Sequence, residues 1–238
     1  MMILLPLLLI VSQTDTTRVP PVIKFTGEVG YVAASGNQSV ETLNVGNKFS
    51  AKFEDLTLAQ TFVHVYGESE GETTTSLTRA SMRVDKGLRD SPFTEYGLMT
   101  YERNTFAGLA SRVTGSLGLT ALVLRSEADK VLVEGGLSLN RQRGTGLKGK
   151  DSDFLGGRAA STYTHQFSKQ TAFVQVVEFL PNFREADDLR VNTETAITAP
   201  ITSRIGLKLS YVIRYDGLPQ EGFLTTDRLF TSGVQVTL

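Results

Sequence analysis

Arg204-Ile205-Gly206-Leu207-Lys208-Leu209-Ser210-Tyr211-Val212-Ile213-Arg214-Tyr215 places Ile205, Leu207, Leu209, Tyr211, Ile213 and Tyr215 on one phase, and Arg204, Lys208, Ser210 and Arg214 on the other. Successive side chains of a β-strand point to opposite faces, so this segment has one apolar face and one charged face. The same pattern recurs where Leu43, Val45, Phe49, Ala51 and Phe53 alternate with Asn44, Lys48, Ser50 and Lys52. A soluble sandwich would turn the charged face to water. An outer-membrane barrel inverts the assignment, with apolar side chains meeting lipid and charged ones lining a polar lumen.

Working outward from these two segments, the chain after Val22 divides into about twelve strands separated by turn residues. They lie near residues 23–34, 40–53, 57–66, 74–85, 93–102, 110–124, 130–140, 154–167, 171–180, 189–199, 204–215 and 227–238, and no helix is needed. An even strand number suits a bacterial single-chain barrel. The fold expected is all-β, a transmembrane up-and-down antiparallel β-barrel of about twelve strands. With the N-terminus periplasmic, the inner turns are Glu54-Asp55-Leu56, Lys86 to Pro92, Arg125 to Asp129, Ser168-Lys169-Gln170 and Pro200 to Ser203. The outer loops include Asn140 to Asp153 (with Arg141, Arg143, Lys148 and Lys150), Pro181 to Asp188 and Asp216 to Thr226. Short inner turns and long outer loops are the asymmetry such barrels show. The tight outer turn at Ser35-Gly36-Asn37-Gln38 is an exception, and Gly and Asn accept its positive φ at little cost.

The composition narrows the class. At 238 residues, 40% hydrophobic and a mean hydropathy of -0.06, the chain holds no apolar run long enough for a spanning helix. A β-barrel remains open, since only alternate strand residues need be apolar. A net charge of -1 gives no pull towards nucleic acid, and the absence of Cys removes disulfides, a lipid-anchored Cys and thiolate metal sites. Ile3 to Val11 is a nine-residue apolar run, too short to span and followed by Ser12-Gln13-Thr14-Asp15-Thr16-Thr17, so it reads as a signal-peptide core. Residues 1–22 are therefore expected to be signal peptide and N-terminal segment, and residues 23–238 one barrel. Trp is absent, leaving Phe25, Tyr31, Phe49, Phe53, Tyr163, Phe167, Tyr211 and Tyr215 to form the interfacial girdles.

A family resemblance rests on three stretches. They are Gly27-Glu28-Val29-Gly30-Tyr31 turning through Ser35-Gly36-Asn37, then Tyr101-Glu102-Arg103-Asn104-Thr105-Phe106-Ala107-Gly108, and a terminal Thr226-Asp227-Arg228-Leu229 running into Gly233-Val234-Gln235-Val236-Thr237-Leu238. In these the chain resembles the YdiY-like salt-induced outer-membrane proteins, domain-of-unknown-function family 481, over roughly residues 25–238. The resemblance implies an outer-membrane β-barrel of unknown activity. It also implies a terminal Phe read by the barrel-assembly machinery, where this chain has Leu238.

No constellation of residues points to chemistry. The two histidines, His64 and His165, lie on distant strands without Gly-x-Ser-x-Gly or His-Glu-x-x-His, so no catalytic residue, metal site or cofactor site is assigned. Gly144 to Lys150 lacks P-loop spacing and reads as a basic loop able to touch lipopolysaccharide. Glu102 is expected at the rim, paired with Arg103 or Arg112. The inward phase offers Lys48, Lys52, Arg79, Arg83, Arg112, Arg158, Arg190, Arg204, Lys208 and Arg214, opposed by Glu28, Asp85, Glu134, Glu194 and Asp227. That set is basic by about ten to five. Two outcomes are open for a lumen of this size: a salt-bridged plug, or a narrow pore preferring small anions. The alternatives to a non-enzymatic barrel are an outer-membrane lipase and a soluble ligand-binding barrel. The partners expected are outer-membrane lipid and lipopolysaccharide, the assembly machinery, and small anions.

Overall fold

The structure, a computed structural model, describes residues 20–34, 40–69, 72–89, 91–145, 149–168 and 171–238. The expected signal peptide, the turn at Ser35 and the middle of the loop containing Lys148 lie outside the described residues.

Twelve antiparallel strands close into one barrel, each paired with its sequence neighbours and the last with the first. They are β1 (Val22–Ala34), β2 (Val40–Lys52), β3 (Leu56–Ser69), β4 (Glu72–Gly87), β5 (Phe93–Asn104), β6 (Leu109–Arg125), β7 (Asp129–Gly144), β8 (Ser152–Gln166), β9 (Ala172–Pro181), β10 (Leu189–Pro200), β11 (Ile205–Asp216) and β12 (Thr226–Thr237). Strands of 10 to 17 residues are long enough to cross a bilayer at the tilt a barrel imposes. The twelve strands anticipated above are all present, mostly one to three residues longer at their ends. That lengthening shortens the outer loop after β7 to residues 145–151, whereas β11 begins one residue late, at Ile205, leaving Arg204 in the turn before it. One helical element appears where none was expected, a 3-10 turn at Thr105–Ala107 closed by Gly108 in the left-handed region at φ 67°.

Period-2 patterning puts one set of side chains outside. Leu117, Leu137, Leu139, Met82 and Met99 are more than half exposed in the middle of their strands. A belt of this extent on a closed sheet faces lipid. Phe25, Phe49, Phe53 and Phe93 cluster towards its inner edge, and Tyr31, Tyr101, Phe179, Tyr211 and Tyr215 towards its outer edge. Phenylalanine and tyrosine thus build both girdles without Trp. The chain is an outer-membrane β-barrel.

The seam is short. β1 pairs with β12 only from Thr26↔Thr237 to Val29↔Val234, whereas β1 pairs with β2 from Val22↔Lys52 to Ala34↔Val40. Backbone bonds between Phe25 and Leu238, 2.9 and 3.2 Å, extend it by one step.

Candidate functional site: a charge ladder through the lumen

The inward phase of β4 to β9, joined by β11, assembles a continuous row of opposite charges. At the outer end Arg214 Nη1 lies 3.2 Å from Glu102 Oε1. Glu102 Oε2 is 4.0 Å from Arg79 Nη1, and Arg79 Nη2 is 3.7 Å from Glu178 Oε2. Arg158 then joins Glu178 to Glu134, its Nε 2.8 Å from Glu178 Oε1 and its Nη1 2.5 Å from Glu134 Oε2. Arg83 completes the row, its Nη2 2.8 Å from both Glu134 Oε1 and Asp85 Oδ1. Positive and negative groups alternate from Arg214 to Asp85. Each charge has opposite-sign neighbours, which is the arrangement that makes buried ions tolerable.

Several of these contacts join strands that are not neighbours in the sheet. β5 and β11, which supply Glu102 and Arg214, stand opposite each other in the ring, and Arg79 on β4 reaches Glu178 on β9. Such pairs cross the lumen. Arg112 on β6 likewise reaches Asp216 at the end of β11, 3.0 Å, while Arg112 also donates to Gln142. Lys208 serves the remaining side, 3.0 Å from Glu28 and 3.4 Å from Glu194.

Below the middle, Tyr96 fills the gap between two rungs. It is almost fully buried, with the Arg83 guanidinium 4.6 Å and the Arg158 guanidinium 5.2 Å from its ring centre. A cation over a ring face is attracted by the ring quadrupole, so Tyr96 holds both arginines apart from each other and over their carboxylates. The adjoining strands are bare at Gly118 on β6 and Gly136 on β7, its register neighbours, which gives the Tyr96 hydroxyl room to lie against the sheet.

One outer loop reaches over the outer mouth. The segment between β11 and β12 folds across it, where Gln220 accepts from the Lys150 N–H, 2.7 Å, and donates to the Lys150 carbonyl, 3.1 Å. Beneath it sits a cavity of about 40 Å³ bordered by Glu102, Arg112, Arg190, Arg214 and Asp227, with room for a few waters.

Set against the sequence, the inward residues Arg79, Arg83, Arg112, Arg158, Lys208, Arg214, Glu134 and Glu194 meet in these contacts. Lys48 and Lys52 on β2 are exposed, and Arg204 is exposed in its turn rather than on the strand. Two expectations are corrected. Glu102 is not a rim residue, because β5 continues to Asn104 and directs Glu102 into the lumen opposite Arg79. The basic excess also disappears: Glu102, Glu178 and Asp216 were missing from the inward set, and Asp188 stands 4.0 Å from Arg190. At the outer ends of β7 and β8, Arg141 pairs with Asp153 and Arg143 with Asp151 and Asp153. Glu178 was hidden because β9 carries Val174, Val176 and Leu180 on the same inward phase. The antiparallel register of Glu102 with Arg79 is the signal that would have found Glu102.

The histidines serve the exterior. His64 Nδ1 is 2.9 Å from Thr78 Oγ1, and His165 Nδ1 is 2.8 Å from Asp129, which also accepts from the Tyr163 hydroxyl. His165 meets Phe167 edge-on at 4.6 Å, within the inner aromatic girdle.

The family model described as protein of unknown function, DUF481, matches residues 27–238. No curated protein matches the chain. Among solved structures, the chain is similar to the translocator domain of the autotransporter NalP from Neisseria meningitidis, at 15% identity over 94% of this chain and 88% of that one, TM-score 0.49. It is also similar to an outer-membrane channel from Pseudomonas putida F1, at 9% identity over 95% of this chain and 98% of that one, TM-score 0.48. A third is the NanC porin, at 12% identity over 91% and 98%, TM-score 0.47.

Proposed function

This chain belongs to the family of proteins of unknown function DUF481, and from that premise we propose a non-enzymatic outer-membrane barrel whose lumen is shut at rest by its own ion pairs. The observation that carries the proposal is the alternating row from Arg214 to Asp85, whose rungs span opposite walls. A group held by two opposite charges in a low-dielectric interior does not move aside for a passing ion without leaving them unpaired. The barrel then serves the envelope as a membrane-spanning body. Its partners are lipid on the apolar belt, lipopolysaccharide at the outer rim and the assembly machinery at β12.

A second reading, a narrow gated pore, is favoured by the exposure of inward-facing Lys48 and Val63, which lets water into the inner half of the lumen. The ladder is then the gate. With four basic and four acidic members it supplies no ring of one sign, so the pore's anion preference would rest on Lys48 alone among the positions named above.

Planar-bilayer recording of refolded protein separates the two. The closed reading expects silence from the parent chain. Steady conductance from the parent overturns it, and conductance appearing only in Arg83→Ala or Arg158→Ala supports the gate. Recovery of the chain as a soluble periplasmic protein would sink both.

A further inference from the structure

Among the described residues, seven basic side chains take part in the lumen's ion pairs, and five of them have a carboxylate within 3.4 Å. The two that do not are Arg79, at 3.7 and 4.0 Å, and Arg190, at 4.0 Å from Asp188. Both border one cavity of about 30 Å³, set between β4–β6 and β8–β10. Arg190 is almost wholly buried and its Nε has no hydrogen-bond partner, although its Nη2 donates to Asn140 Oδ1, 2.9 Å. Ser116, equally buried on β6, lines the same cavity, and its hydroxyl has no partner either.

A buried donor without an acceptor destabilises the interior, and more so when it is charged. Here two of them and the loosest guanidinium converge on one space. The cavity is also bordered by Arg112 and Arg158 on the positive side and by Glu102 and Glu178 on the negative, four guanidinium groups to two carboxylates. Of the other polar neighbours, Thr114 donates to Asn140 and Asn192 donates to Glu178. What the cavity lacks is an acceptor carrying negative charge. Its size admits a single small ion.

We propose that this cavity is a binding site for one small monovalent anion, of the class of chloride, held by Arg79, the Arg190 Nε–H and the Ser116 hydroxyl. The anion sits beside the ladder at Arg79, whose carboxylate contacts are the longest in it. The site does not depend on conduction, since a shut barrel needs the charge as much as a gated one.

Chloride-35 NMR linewidths, measured on the refolded full chain in detergent micelles at constant ionic strength with gluconate as the balancing anion, test this. The expected result is saturable excess broadening that bromide competes away and gluconate does not. Ser116→Ala, which removes one oxygen and leaves the charges intact, should weaken the apparent affinity by roughly tenfold. Arg79→Gln should abolish the broadening. Heat-modifiable gel mobility reports whether each variant has folded, and if Arg79→Gln has not, Ser116→Ala decides alone. Broadening absent from the folded parent, or unchanged in folded Ser116→Ala, overturns the site. Conductance in bilayers leaves it untouched, so the two proposals fail separately.

Discussion

Glu134 illustrates how position decides what an ion pair contributes. Its carboxylate is shared by Arg83 and Arg158, with side-chain exposures of 10%, 21% and 8%, so removing it strands two guanidinium groups in the lumen. Glu134→Ala should cost on the order of 3 kcal/mol in equilibrium unfolding of the refolded protein. Asp153→Asn breaks pairs of similar length whose partners are 68% and 39% exposed, and should cost roughly 0–1 kcal/mol. Equal losses would contradict the placement of the ladder in a low-dielectric interior. Adjacent glycines on β7 give a second contrast. A Cβ at Gly136 would press on the Leu117 carbonyl and the Tyr96 hydroxyl, whereas one at Gly135 meets nothing within 4 Å. Gly136→Ala should therefore destabilise by about 1–3 kcal/mol and Gly135→Ala should be neutral, as measured by urea titration in the same lipid.

At the level of the strand, what was legible in the sequence is what is local. β2 and β11 declare their faces because every second residue is polar, and their limits fall within a residue or so of the expected ones. β3, β5 and β9 do not, because their inward phase carries Val63 and Val65, Tyr96 and Leu98, or Val174, Val176 and Leu180 beside its polar members. Of these, Val65, Tyr96 and Leu180 are buried inside the lumen, as are Leu77, Leu109 and Phe154, a small interior core that composition cannot reveal. Cross-barrel partners were equally hidden, since Arg214 meets Glu102 through closure of the ring and not through any spacing along the chain. Where the phase is clear it makes a firm prediction. Leu137, mid-strand on β7 and 56% exposed, faces the hydrocarbon, so Leu137→Arg should cost about 2–4 kcal/mol on refolding into vesicles. Arg at Lys52, exposed at the inner end of β2, should cost almost nothing by the same measurement.

For the molecule as a whole, the weak point is the β1–β12 seam with its few paired residues. Close approach there depends on Gly233, where a Cβ would lie 2.7 Å from the Val29 carbonyl oxygen. Gly233→Val should leave β-structure by circular dichroism but prevent ring closure, seen as loss of the compact band of the unheated sample on a denaturing gel. A compact band at parental yield would refute that. Closure also settles the charges in a particular order. The rungs from Arg79 to Asp85 use strands no later than β9, but Glu102 waits for Arg214 and Glu28 for Lys208, its partner 180 residues further along. A barrel stalled before β11 thus leaves Glu28 without its lysine and Glu102 with Arg79 alone at 4.0 Å, where a finished one pairs both more closely. Completion is written in the chain's electrostatics, so any envelope protease or chaperone that responds to uncompensated charge can tell an unfinished copy from a finished one.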